Sequence, residues 1–490
     1  MFKTRLKKLD AAMEAAASYE EWKQLAREHD KASGTDKWQA VDESKHFDFA
    51  SIRFRLDHLR RLRKKGDNSA LLFTLNEGIH GNLGGMGSSA LYGKTRFGTK
   101  DLIREYVEEV AASVEHLASP AVDDIAFERK LDFFRRASHC YGRSAFMMSG
   151  SGTLLFFHLG VVKALWEERL LPDIISGSSG GAFVGAVACA STDDELSEFF
   201  DPENMPGRRL SSGILDAISS FVSPELVTAG EVWAMLEKFL PDYTFQEAAE
   251  RTGRHMNVSV APAETLQRSR LLNADTSPNV YMREAVLAST AFPGFFPPVT
   301  LMAKNDAGER QRYHGSRRWV DGSLSEDLPA KRLARLYGVN HYIVSQTNPL
   351  VIPFINDRER KPDTWSALKH ATFSSAKTWV NAGATVLNRP LSAVPEIKRV
   401  TNSLLSVMNQ SYVGDITILP LTKFHNPFRA LSWRTHEEIV GLMDEGERAT
   451  WPQLERIRIQ TLISRTLDPI LQSYEEEHLH QFGGKKIAAL

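Results

Sequence analysis

The chain has little of what many functions would require. Two cysteines, Cys140 and Cys189, stand among 490 residues. They are too few for a disulfide framework or a cysteine-based metal site, and they point to a reducing compartment. No stretch approaches the roughly 20 apolar residues that span a bilayer. The basic start at Lys3, Arg5, Lys7 and Lys8 is followed by no apolar run of signal-peptide length. The expectation is a cytoplasmic protein that touches membranes from outside. An excess of either charge is also missing: 60 Lys and Arg against 61 Asp and Glu leave a net charge of −1. No global field therefore gathers nucleic acid or an acidic substrate. Internal repeats and low-complexity tracts are absent, and only the tail from Gly483 looks frayed. No metal or organic cofactor is implied.

What is present suffices for several domains: 42% of the residues are hydrophobic, so core size is not limiting. Residues 1–140 read as a helical domain. Ser18-x-x-Glu21 has the form of a capping box, and Leu102, Ile103, Tyr106, Val107 and Val110 fall at helical spacing. Over 144–348 short apolar or β-branched runs alternate with helices. Candidate strands are 145–148, 174–175, 256–260, 319–320 and 342–344, which implies an α/β core with a largely parallel sheet. Residues 349–490 return to helical character, punctuated by Pro362, Pro390, Pro395 and Pro452, and read as a C-terminal helical extension.

Within the core, Gly177-Ser178-Ser179-Gly180-Gly181 lies between the strand candidate 173–176 and a run of small residues, Ala182, Gly185, Ala186 and Ala188. In a G-x-S-x-G elbow the serine occupies a sharp strand-to-helix turn. Its glycines, here Gly177 and Gly181, relieve the backbone and let the helix pack close to the sheet. Ser179 is the candidate nucleophile. Upstream, Ser149-Gly150-Ser151-Gly152 forms a turn between the strand candidate and the apolar helix candidate 153–165. A helix amino terminus offers unpaired N–H groups and the positive end of a dipole, so Gly150, Ser151 and Gly152 are candidate oxyanion donors. Ser151 can serve there only if its position does not require a positive φ. A dinucleotide fingerprint would need glycine at Leu155.

Trp319-Val320-Asp321-Gly322 reads as a strand ending in an aspartate held by glycine. A serine hydroxyl is a weak nucleophile until a base takes its proton, and Asp321 is the candidate base. An isolated Asp-Gly pair equally suits a turn that caps a strand. His341 and His370 follow Asp321, so a Ser, Asp, His triad in the α/β-hydrolase order is the mechanistic alternative. His341 opens an apolar strand, however, and His370 sits in a helix.

Three further features are weaker. The segment from Gly87 to Thr95 has the look of a phosphate loop, but Ser88 stands where glycine is needed, and it reads as an ordered connection. Residues 52–65 form a basic helix with Arg53, Arg55, Arg60, Arg61, Arg63, Lys64 and Lys65. It suits an anionic membrane surface, or a solvated face closing at Gly66. The stretch 365–387, with Phe373, Trp379 and Val380, is the second candidate for lipid contact, or plain core packing.

The three motifs, in this order, resemble the patatin-like phospholipase family. Ser149-Gly150-Ser151-Gly152-Thr153 with His158-Leu159-Gly160-Val161-Val162 is similar to its oxyanion segment, Gly177-Ser178-Ser179-Gly180-Gly181 to its elbow, and Asp321-Gly322-Ser323 to its aspartate motif. Ala288-Ser289-Thr290-Ala291-Phe292-Pro293 continuing to Pro297-Pro298 is similar to its proline-rich turn. Asn82-Leu83-Gly84-Gly85, Leu91-Tyr92 and Phe97-Gly98-Thr99-Lys100 resemble the extra helical domain of the family's triacylglycerol-lipase branch. Val344-Ser345-Gln346, Asn348-Pro349 and Gly414-Asp415-Ile416-Thr417 resemble its carboxy-terminal part.

The resemblance implies a three-layer α/β/α core flanked by N-terminal and C-terminal helical regions. It further implies a Ser179/Asp321 dyad without histidine, with Gly322 beside the aspartate. The activity implied is that of a lipid acyl hydrolase of triacylglycerol-lipase or phospholipase type, cleaving acylglycerols or phospholipids through an acyl-enzyme at a membrane or lipid-droplet surface. The family's oxyanion turn usually has three consecutive glycines, and here Ser151 interrupts them. Transfer of the acyl group to lysophospholipid or glycerol is chemically adjacent. A catalytically silent, membrane-associated scaffold is the alternative of another class.

Overall fold

A computed structural model describes residues 2–205, 227–264, 269–293, 295–323, 326–349, 351–352, 414–421 and 430–487. His370, the stretch 365–387 and Pro362, Pro390 and Pro395 lie outside the described residues. The chain divides into two compact units, with the residues from Trp451 onward grouped with the amino-terminal helices. Pro452, expected as punctuation, lies inside the helix His436–Ile487.

The first unit comprises Met1–Ser144, Leu336–His341 and Trp451–Leu490. Its helices include Tyr19–Ser33, Phe49–Lys65, Asn68–Gly78, Asp101–Ala118 and Phe127–Tyr141. They bury a core containing Leu56, Ile103, Phe133 and Phe134, to which Ile459, Ile463 and Leu467 contribute. Ser18 caps its helix by accepting the Glu21 N–H at 3.3 Å, while the Glu21 carboxylate reaches back to the Ala17 N–H at 2.8 Å, one residue beyond the usual capping box.

The basic helix ends at Gly66, whose φ of +72° closes it in a left-handed cap. Much of its charge is neutralised within the unit. Arg53 forks onto Asp42 at 2.7 and 2.8 Å, Arg63 onto Glu109 at 2.8 and 3.0 Å, and Arg60 meets Glu105 at 3.2 Å. The connection around Gly93 is an ordered one. The buried Asp30 carboxylate accepts the N–H groups of Arg96 and Phe97, and the buried Lys100 ammonium donates to the carbonyls of Trp38, Val41 and Glu43.

The second unit comprises Ala145–Arg335 and Tyr342–Thr450. Its strands are β1 (Arg143–Met148), β2 (Ile174–Gly177), β3 (His255–Pro262), β4 (Arg270–Leu272), β5 (Met302–Lys304), β6 (Arg310–Arg312), β7 (Trp319–Asp321), β8 (Val339–Ser345) and β9 (Ile416–Ile418). The central sheet runs β4-β3-β2-β1-β8-β9, with β7 paired to β3 off that path, and β5 pairs β6 apart from it. β1, β2 and β3 are mutually parallel, as are β8 and β9, whereas β4 and β7 run antiparallel to β3. This is an α/β fold with a mostly parallel sheet. Parallel strands must bury both faces, and β2 is accordingly buried at every residue.

The register aligns Met148 with Gly177 and Gly177 with Val258, so β1 and β2 end level with one another while β3 runs on to Pro262. The crevice beyond such ends is where an open α/β sheet binds its ligand. Helix Gly180–Ala190, built of small residues, is buried along its whole length. Helix Leu155–Glu167 crosses the first turns of His436–Ile487 at two glycines. A Cβ at Gly160 would lie 2.0 Å from the Met443 carbonyl oxygen, and one at Gly446 2.2 Å from that of Phe157.

Candidate active site

Ser179 sits between the end of β2 and the start of helix Gly180–Ala190 with φ +52° and ψ −123°, a conformation that costs a non-glycine residue energy and that surrounding structure must hold. The flanking glycines are steric necessities. A Cβ at Gly177 would stand 2.3 Å from the Gly181 carbonyl oxygen, and one at Gly181 would stand 2.7 Å from that of Ser149. Ser289 supplies part of the restraint: its hydroxyl accepts the Ser179 N–H at 3.0 Å and donates to the Ser259 carbonyl at 2.8 Å. Nothing in the elbow sequence indicates Ser289; its position at the end of helix Met282–Thr290 brings it there.

Asp321 ends β7 opposite Val260 of β3 and is buried. Its N–H donates to the Ala291 carbonyl at 3.1 Å, and its carboxylate accepts the Ser323 N–H at 2.8 Å. A Cβ at Gly322 would stand 2.6 Å from the Ser259 carbonyl carbon. Nucleophile and base candidates are therefore tied to the same two places, residues 259–260 of β3 and residues 289–291. No hydrogen bond joins the Ser179 hydroxyl to the Asp321 carboxylate. Burial pushes the Asp321 carboxyl up to about 7; bonds from Ser323 oppose this and the nearby Asp327 adds to it.

The oxyanion turn differs from expectation at its first residue. The Gly150 N–H is taken up by the Asp327 carboxylate at 2.8 Å and is not free for a ligand. Ser151 has φ −139°, so it needs no glycine there and its N–H is retained. Gly152 does need to be glycine: φ is +54°, and a Cβ would stand 2.0 Å from the Ala430 carbonyl oxygen. The N–H groups of Ser151 and Gly152 have no acceptor among the described residues. A Cβ at Gly180 would stand 2.2 Å from Ser151 Oγ, which measures how closely elbow and oxyanion turn approach.

His158 fixes this turn from below. Its Nε2 lies 3.0 Å from the Ser149 carbonyl oxygen, which can only accept, so Nε2 carries the proton and Nδ1 accepts from Ser345 Oγ at 2.7 Å. Burial pulls its pKa down to about 3, so it is neutral. His341 is occupied elsewhere, bonding Ser144 Oγ at 2.9 Å and Gln460 Oε1 at 3.0 Å through its two ring nitrogens. Among the described residues no group of three or more His, Cys, Asp or Glu could hold a metal ion.

Above Ser179 lies an apolar cavity enclosing about 740 Å³ of empty space, its open mouth included. Leu155, Phe156, Phe183, Phe296 and Trp433 are among its walls, and Ser179, Gly180 and Gly152 lie along it. Arg434, also on the wall, donates to Thr153 Oγ1 at 3.1 Å and faces Glu438 at 3.7 Å, so its charge is met locally.

A family model described as patatin-like phospholipase matches residues 146–334, and one described as a domain of unknown function, DUF3336, matches residues 1–139. Triacylglycerol lipase ptl2 of Schizosaccharomyces pombe is 31% identical over 484 residues, covering 95% of this chain and 75% of its own length. Triacylglycerol lipase SDP1L of Arabidopsis thaliana is 33% identical over 478 residues, covering 93% and 57%. A patatin-like phospholipase domain-containing protein of Cryptococcus neoformans is 32% identical over 485 residues, covering 94% and 54%. The chain thus spans about half the length of some of the relatives it matches.

Proposed function

Since the chain belongs to the patatin-like phospholipase family, we propose that it is a serine hydrolase of lipid carboxylic esters, acting on acylglycerols or phospholipids through a Ser179/Asp321 dyad. The observation that carries this reading is the strained Ser179 on the floor of an apolar cavity, beside two amide N–H groups with no acceptor among the described residues. Ser179 Oγ attacks the ester carbonyl as its proton passes to the ionised Asp321 carboxylate. The carbonyl oxygen becomes an oxyanion held by the N–H groups of Ser151 and Gly152. The intermediate collapses, the C–O bond to the alcohol breaks, and the proton on Asp321 goes to the departing alkoxide. Water then gives up a proton to Asp321 and attacks the acyl-enzyme; the acyl bond to Ser179 Oγ breaks, the proton on Asp321 returns to Ser179, and fatty acid is released. Hydrogen bonds between base and nucleophile commonly tighten only when substrate is bound, which suits two side chains anchored to the same strand but not yet bonded.

The names of the lipases from S. pombe and A. thaliana favour triacylglycerol as substrate. Acyl transfer would use the same acyl-enzyme with lysophospholipid or glycerol in place of water. The scaffold alternative leaves the paired glycines and the positive φ of Ser179 without purpose.

Contact with the lipid surface would be peripheral, because no helix among the described residues is long and apolar enough to cross a membrane. On the basic helix, Arg55, Arg61, Lys64 and Lys65 form no ion pair among the described residues and Phe54 is exposed, which suits an anionic interface. The test is twofold. A fluorophosphonate should label Ser179 stoichiometrically, and purified protein should release fatty acid from at least one of triacylglycerol, diacylglycerol, phospholipid and lysophospholipid. A folded protein that does neither refutes the reading.

A further inference from the structure

The group that occupies the Gly150 N–H belongs to none of the motifs. Asp327 lies six residues beyond Asp321 in the sequence and is fully buried. One carboxylate oxygen accepts the Gly150 N–H at 2.8 Å, the other faces Asn348 Nδ2 at 3.4 Å, and the Asp327 backbone carbonyl accepts the Ser178 hydroxyl at 3.0 Å. A single residue thus touches the oxyanion turn just before the amides of Ser151 and Gly152, the elbow just before Ser179, and the segment after β8.

We propose that Asp327 is a positioning residue for ester hydrolysis: its ionised carboxylate holds the oxyanion turn while its backbone carbonyl holds the elbow, so that the N–H groups of Ser151 and Gly152 are aimed at the carbonyl attacked by Ser179. The inference rests on the esterase reading above. A turn of sequence Ser-Gly-Ser-Gly has little rigidity of its own, and Gly152 has no Cβ to restrict it. A bond from an N–H to an ionised carboxylate is roughly twice as strong as a neutral one, and it is the tether nearest the donors. The cost of burying the charge is offset by these bonds: burial raises the carboxyl to about 6, and the Gly150, Asn348 and Ser178 contacts hold it down. Asp327 does not reach the reacting atoms; it acts through Gly150.

The experiment uses the full chain and the variants D327N and D327N/N348D, with a soluble p-nitrophenyl ester for kcat and KM and a fluorophosphonate for the rate of Ser179 labelling. In D327N an amide donor would face the Asn348 amide donor, whereas the swapped pair again sets a donor against an acceptor. Since a misplacement near 1 Å costs about 10²-fold, D327N should lose about that much in kcat, with KM within about threefold and labelling slowed in parallel. The swapped pair should recover at least about tenfold of that loss. The proposal is overturned if D327N keeps kcat within about threefold, if its loss is all in KM, or if the folded swapped pair is no better than D327N. Should D327N fail to fold, the swapped pair decides alone: kcat above about one tenth of wild type supports the proposal and less overturns it. Wild-type protein whose Ser179 is not labelled overturns both readings. Labelled wild type with an unaffected D327N overturns the positioning role alone.

Discussion

Two glycine-rich segments of this chain look alike in sequence and behave oppositely in structure. In the helical unit, the connection around residues 82–93 uses most of its amides on itself. The amides of Gly85, Met86, Gly87, Ser88, Leu91, Tyr92 and Gly93 all find acceptors, and Asp30 takes up those of Arg96 and Phe97 that follow. In the α/β unit, the turn 149–152 leaves two amides without acceptors among the described residues, directly beside a serine held at positive φ. Glycine content therefore does not mark a site. Donors kept unsatisfied inside a framework that spends hydrogen bonds on holding them do.

The comparison is broken most severely at the nucleophile. Ser179→Ala should lower ester hydrolysis on the order of 10⁴-fold or more without lowering the melting temperature. Turnover retained by the folded variant would sink the serine mechanism.

Asp321→Asn should cost about 10²- to 10⁴-fold, the range of general-base loss. With a carboxyl raised to about 7, wild-type kcat/KM should rise with pH and reach half its plateau near 7. The same shift has a stability sign. An acid whose folded pKa lies above its unfolded value binds more protons when folded, so its contribution is favourable below about pH 4 and is lost as pH rises through 7. Asp321→Asn should therefore raise the melting temperature at pH 8 and leave it nearly unchanged at pH 4. Equal effects at both pH values would contradict the assignment.

Gly152→Ala adds a methyl against the Ala430 carbonyl at a residue with positive φ, displacing a donor. Losing one such donor costs about 10²- to 10³-fold in kcat. Asp30→Asn in the helical unit should do the reverse, lowering stability by about 1–3 kcal/mol while specific activity stays within about twofold. A large kcat loss there would mean that the two segments are not as different as their hydrogen bonds imply. His341→Ala should stay within about tenfold in activity, far from the loss expected of a triad member, since both ring nitrogens are bonded away from the dyad.

Much of this was legible in the chain. The strands β1, β2, β3, β7 and β8 announce themselves because burial on a sheet demands apolar or β-branched runs. β6, Arg310–Arg312, does not, since three exposed polar residues carry no burial pattern, and β4, β5 and β9 are equally short. The elbow was legible because its glycines answer a local steric demand. Asp327 was not: its role arises from a contact across 177 residues with a backbone amide, which leaves no trace in local spacing. Gly150 illustrates the converse, a donor of the right type at the right place whose N–H is used within the protein. Pro452 shows tertiary context overriding local punctuation, because a helix tolerates proline when packing holds it.

The glycine crossing of helices Leu155–Glu167 and His436–Ile487 has a consequence for substrate girth. Phe156 and Ile439, one turn before Gly160 and Met443, face the cavity from the two helices. The spacing between those walls is set where no side chain intervenes at all, so the crossing works as a caliper with its jaws closed to backbone contact. Even one methyl at Gly160 or Gly446 would prise the jaws apart and readmit a different range of acyl chains, changing what fits without touching any atom that reacts.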